Sequence, residues 1–149
     1  MSNQLPESIG QLNSMLYRYG NIYMNEQLKP YQLSAGQYQF LLVLFYREGI
    51  SQDEVASILK MDKGTTARAV AKLEAEDYVR REVDMMDKRA KKLFLTKRAR
   101  QFEKQLRMIL DQWKAILTND LTEEEQEQVF TLLGKIAKNA ERYIERAED

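Results

Sequence analysis

Apolar residues recur along this chain at three- and four-residue intervals, and the pattern breaks in only a few places. Leu5, Ile9, Leu12, Leu16, Tyr19, Ile22 and Tyr23 form such a seam and predict a long first helix. Pro30 and its neighbours close it. Ser34 and Gln37 then have capping-box spacing, and Leu33 is placed to staple onto Tyr38. The helix they open runs through Arg47 and is apolar on every side over 40–45, so it is the expected buried centre. Gly49 is the expected stop.

From position 51 the periods shorten. Ser51 with Glu54 makes a second capping box, with Ile50 able to staple onto Val55, and Val55, Ile58, Leu59 and Met61 supply one apolar face. Asp62 caps the next helix, whose expected inner stripe is Ala67, Val70 and Leu73 and whose outer side carries Thr65, Arg68 and Lys72. Two helices joined by so short a turn form a helix-turn-helix. Val79, Arg81 and Val83, then Lys91, Leu93 and Leu95, alternate with the two-residue period of half-buried strands. The charged connection 84–90 is long for a minimal hairpin and should project as a wing. From Thr96 the helical period returns through Ala99, Phe102, Leu106, Ile109, Leu110, Trp113, Ile116 and Leu117. Asn119-Asp120 breaks it, and Thr122 with Glu125 opens a last helix striped by Val129, Leu132, Leu133, Ile136, Ala140, Tyr143 and Ile144.

The resulting fold class is mainly α with a small β-wing: a winged helix-turn-helix head plus long N- and C-terminal helices. Those broad terminal stripes need a cover, which packing together and two-fold pairing with a second copy would provide, the alternative being an intrachain bundle with no dimer. About 34–98 is then the head, and 1–30 with 99–149 the helical dimerisation region of a single 149-residue domain.

Composition narrows the chemistry. There are no cysteines and no histidines, which removes disulfides, thiolate nucleophiles, the commonest general base and the commonest metal ligand together. Neither catalysis nor a metal or other cofactor is expected. The acids at 123–127 sit in the first turns of a helix, where the dipole already accounts for them. Apolar runs are far too short for a membrane span of about 20 residues, and no signal peptide is read at the N-terminus, so the expected location is cytoplasmic. Net charge is zero, yet ten basic residues face four acidic ones over 78–104, while nine acidic face four basic ones over 119–149. That asymmetry is what a polyanion-binding surface would show, and equally what two solvated faces would show.

Laid out in this order, the chain resembles the MarR family of winged-helix transcriptional regulators over most of its length, most sharply across 33–96. The recognisable signature is the acidic wing start at Asp84, then Asp87-Lys88-Arg89, then Leu95-Thr96 leading into the next helix. The chain departs from the family pattern at Asp77 and Ala99, where glycine is common. Asp tolerates the left-handed turn the first position needs, and Ala favours helix continuation at the second.

The resemblance implies a homodimer that reads double-stranded DNA at a near-palindromic operator, most simply as a repressor, with release by a small aromatic or anionic ligand. It places the helix from Asp62 in the major groove and the wing tip in the minor groove. Residue chemistry agrees: Thr65 and Thr66 lie near a helix N-terminus that favours phosphate, Gly64 permits close approach, and Arg68 suits a bidentate guanine contact. Lys63 and Lys72 suit phosphate, and Ser51 and Gln52 either bond phosphate or, for Ser51, cap. At the wing, Arg89 is the expected minor-groove residue, with Asp84 and Asp87 stabilising the loop and Asp87 holding it by an ion pair. Arg81, Lys88, Lys91 and Lys92 are further phosphate candidates. Tyr17, Arg18, Tyr23, Tyr31 and Tyr38 could wall an effector pocket. The competing reading is a winged-helix module that binds protein instead of DNA.

Overall fold

The computed structural model describes residues 8–148; Leu5, the first residue of the expected seam, lies outside them. Helix α1 (Ile9–Leu28) is capped by Ser8, whose Oγ accepts the Gln11 N–H. A 3₁₀ turn, Lys29–Tyr31, with proline in its first turn, ends it. Helix α2 (Tyr38–Tyr46) follows, then strand β1 (Ile50–Ser51), helix α3 (Gln52–Leu59), helix α4 (Lys63–Ala75), strands β2 (Val79–Val83) and β3 (Lys91–Leu95), and helices α5 (Lys97–Leu117) and α6 (Glu123–Glu148). The fold is thus mainly α with a small antiparallel sheet, ordered β1-β3-β2.

Several local expectations shift. The Ser34/Gln37 box is only half made: Gln37 Oε1 accepts the Ser34 N–H at 2.8 Å, but the Ser34 hydroxyl donates to the same oxygen. Residues 35–37 are therefore a turn, and α2 starts at Tyr38. That helix also ends before Gly49, which instead takes φ +72° and donates its N–H to Leu93 O, turning the chain into β1. Strand β1 has no sequence signature of its own. It exists because β3 offers a free edge, pairing Ile50 with Leu93 and Ser51 with Lys92.

The chain divides into two compact units at Asp111/Gln112, within α5. The first holds the core. Phe40, Leu41 and Leu44 of α2, Val55 of α3, Val70 and Leu73 of α4, Leu93 and Leu95 of β3 and Phe102 and Leu106 of α5 are all buried. From α1 only Met24 and Leu28 are buried, while Ile9, Leu12, Leu16, Tyr19 and Ile22 stay exposed. The second unit is the end of α5 with α6, joined through the Thr122/Glu125 capping box: each residue's side chain accepts the other's N–H. No residue of α6 is buried. Among the described residues no helix is long and apolar enough to cross a membrane.

Candidate nucleic-acid interface

Two capped helices build the reading head. Ser51 Oγ accepts the Glu54 N–H at 3.1 Å while Glu54 Oε2 accepts the Ser51 N–H at 2.7 Å. That backbone N–H holds the Glu54 carboxyl below its ordinary range, against a smaller opposing push from burial. Lys60 closes α3 in the left-handed conformation, and two residues later Asp62 caps α4. Asp62 Oδ1 accepts the Thr65 N–H and Oδ2 the Thr65 hydroxyl, each at 2.7 Å. The backbone bond first, and the hydroxyl second, depress the Asp62 pKa.

From that cap an ordered polar chain runs outward. Arg68 Nη2 donates to Thr65 Oγ1 at 3.2 Å, so Asp62, Thr65 and Arg68 are preorganised as one network. A Cβ on exposed Gly64 would meet Asp62 Oδ1 at 3.4 Å and Arg68 Nη1 at 3.5 Å, ordinary van der Waals contact, so the network itself does not require glycine there. Lys63 is exposed and 3.7 Å from Asp53, a solvated pair of little energetic consequence. Lys72 bonds Glu76 at 3.1 Å, and Arg81 is held by Glu74 at 3.1 Å.

Two expected contact residues are differently placed. Thr66 is wholly buried and its hydroxyl donates to Asp62 O. The inner stripe is Thr66, Ala69, Val70 and Leu73, with Ala67 at its edge. Thr66 therefore belongs to packing, and its side chain is out of a ligand's reach. Gln52 is partly buried with Oε1 turned inward and unpartnered, and Ser51 caps. Ile58, expected on the inner face of α3, is about half exposed.

The wing is a hairpin whose register pairs Val79 with Leu95 and Val83 with Lys91. Above it, Asp84 N–H donates to Ala90 O and Asp84 Oδ1 accepts the Met86 N–H at 2.9 Å. That bond, joined by the Lys92 ammonium 3.6 Å away, keeps the Asp84 carboxyl below its usual range. Asp87 Oδ1 accepts the Arg89 N–H at 3.0 Å. Asp87 thus shapes the loop through an Asx turn; the ion pair expected of it is made by Asp84. Lys88, Arg89 and Lys91 are exposed, and among the described residues they make no ion pair.

Long-range tethers that periodicity does not reveal fix the head to α5. Arg98 donates to Glu76 O at 2.8 Å and Gln32 Oε1 at 2.6 Å and lies 4.5 Å over the Tyr78 ring. Asp77, at φ 61°, makes the turn before Tyr78 and accepts the Thr96 hydroxyl. Glu48 accepts the Leu95 N–H at 2.7 Å and pairs with Arg100 at 2.5 Å. Arg80 stacks over Phe94 and pairs with Glu82.

The five effector candidates lie on α1, on the turn that ends it and at the start of α2. Tyr17 and Arg18 are exposed on α1. Tyr23 donates to Ile109 O, Tyr31 stacks 4.6 Å from Phe102, and Tyr38 packs against the core. A groove of about 500 Å³ between α2 and α3 is lined by Gln39, Leu42, Val43, Tyr46, Arg47, Ile58 and Leu59.

The model of the MarR family matches residues 31–90, from the turn before α2 through the wing tip. An uncharacterised HTH-type transcriptional regulator of Bacillus subtilis, YybA, is 31% identical over 140 residues, 94% of this chain and 91% of its own length. The chain belongs to the MarR family of transcriptional regulators. Solved structures agree. A MarR transcriptional regulator from Methanosarcina mazei superposes with a TM-score of 0.85 at 36% identity, covering 91% of this chain and 97% of that one. A MarR protein from Peptoclostridium difficile reaches 0.88 at 29% identity, covering 96% and 94%. YybA and the Methanosarcina protein are both transcriptional regulators.

Proposed function

We propose that this MarR-family regulator binds double-stranded DNA sequence-specifically, as a homodimer on a near-palindromic operator, and represses. About 34–98 forms the DNA-binding region, and 1–30 with 99–149 the dimerisation region. The observation that carries the reading is the preorganised Asp62–Thr65–Arg68 network at the exposed start of α4, in a head whose wing ends in unpaired cations. Arg68 reads a guanine edge. Lys63, Lys72, Arg81, Lys88 and Lys91 supply phosphate contacts, for which Lys72 and Arg81 must leave their carboxylate partners. Arg89 enters the minor groove, where a narrow A·T tract concentrates negative potential.

The exposed apolar stripes of α1 and α6 support the dimer. Two reading helices related by a two-fold axis would sit about 34–36 Å apart, one turn of DNA. A small aromatic or anionic effector releases the operator, with Tyr17, Arg18, Tyr23, Tyr31 and Tyr38 as the residues to test for its site.

The test is selection of bound duplexes from a random pool at two salt concentrations. A palindromic motif with half-sites about 10 bp apart, bound orders of magnitude more weakly at the higher salt, is the expected result. Salt-independent recovery of no motif would instead favour a module that binds protein.

A further inference from the structure

The chain has seven methionines, and the described ones range from buried to almost fully exposed. Met24 is in the core, whereas Met85 and Met86 are 91% and 95% exposed side by side at the wing tip. The loop that carries them is closed beneath by the Asp84–Ala90 backbone bond and the Asp84–Met86 bond. Two adjacent thioethers held in water forgo the burial that apolar side chains normally gain. The same loop carries Lys88, Arg89 and Lys91, while its two acids are engaged: Asp84 with Lys92 and the Met86 N–H, Asp87 with the Arg89 N–H.

An apolar tip flanked by free cations complements a surface with anionic rims and apolar walls. The minor groove of a duplex is such a surface, its phosphates lining the rims and its deoxyribose rings the walls. Methionine is unbranched and polarisable, so it adapts to an irregular floor, and it is among the side chains that minor-groove binders press between base steps. We propose that Met85 and Met86 form an apolar wedge that seats in the minor groove beside Arg89 and packs on deoxyribose and base edges. The inference rests on the DNA-binding reading above and adds a contact that charge alone does not supply.

The full-length chain and its Met85→Gln/Met86→Gln variant are titrated with the selected duplex across a salt series. Gln keeps length and removes apolarity, and no charge changes. Binding should weaken roughly tenfold per methionine lost from the contact, with the log–log salt slope of wild type, and the Met85→Leu/Met86→Leu variant should retain affinity. In parallel, wild type is treated with hydrogen peroxide, which transfers one oxygen to each thioether sulfur and leaves as water. Free protein should form sulfoxide first at 85 and 86, and bound duplex should protect both. Wild-type affinity in the Gln variant at every salt, or equal oxidation with and without duplex, overturns the wedge while leaving the DNA-binding reading intact. The second result would indicate that the pair faces something other than DNA. A wild-type chain that retains no duplex overturns both.

Discussion

Helices α4 and α6 are both amphipathic, and only one of them hides its apolar face within its own unit. In α4, Thr66, Ala69, Val70 and Leu73 are all buried against the head. In α6 nothing is: Val129, Leu132, Leu133, Ile136 and Ile144 keep between 42% and 56% of their surface, and Phe130 keeps 83%. A stripe at helical spacing announces that a face wants cover, and it does not say whose. For α4 the cover is local, so the helix is rigid before it meets a ligand. For α6 the cover, in the homodimer proposed above, is a second molecule, so its contribution would depend on concentration.

The comparison breaks most violently if α6 is made polar. Leu132→Glu with Ile136→Glu puts charge on the face that the proposed dimer would bury. Light scattering should then show monomer, and duplex affinity should fall at least about a hundredfold, because two linked heads become two separate ones. An unchanged dimer would move the interface off α6. The matching change in α4, Leu73→Ala, removes a fully buried side chain from a packed core. It should cost about 3 kcal/mol in urea unfolding without altering the monomer–dimer balance beyond what unfolding itself causes.

The head can be divided further. Arg89→Ala touches neither core nor interface, so stability should stay within about 0.5 kcal/mol. Operator binding should weaken about tenfold or more, and the salt slope should drop by about one. Equal affinity for the variant and wild type would leave Asp87 and Arg89 as turn-formers alone.

How much of this was visible beforehand follows the range of each interaction. The boxes at Ser51/Glu54 and Thr122/Glu125 and the Asp62 cap span three residues, and each forms as its spacing predicts. The left-handed Asp77 is equally local. Strand β1 was invisible because two residues become a strand only opposite Leu93 and Lys92. Thr66 misled for a different reason. A threonine one position from an outward-facing residue reads as polar, but its hydroxyl can return to the backbone four residues earlier and its methyl can pack inward. The Arg98 and Glu48 tethers join residues that are distant in sequence, and no spacing rule marks them. For the candidate site, residue chemistry separated Thr65 and Arg68 from the scaffold, whereas the network binding them to Asp62 needed coordinates.

The smallest expected effect concerns how the head is tied to the helix that leads toward α6. Burial pushes the Glu48 carboxyl up, but the Leu95 N–H and the Arg100 guanidinium outweigh it and hold the group below its usual range. A carboxylate favoured in the folded state adds stability that is complete above its unfolded pKa of about 4.3. That stability is lost as pH falls through the lower folded value. Glu48→Gln cannot ionise and keeps only part of the hydrogen bonding, so it should melt below wild type near neutral pH. The gap should narrow as the medium is taken below about pH 4, where wild type also loses the charge. Duplex affinity at neutral pH should barely move, since Glu48 lies outside the proposed contact set. A gap that stays constant into acid would mean that shape and packing at this corner, not the ionised pair with Arg100, hold β3 to α5.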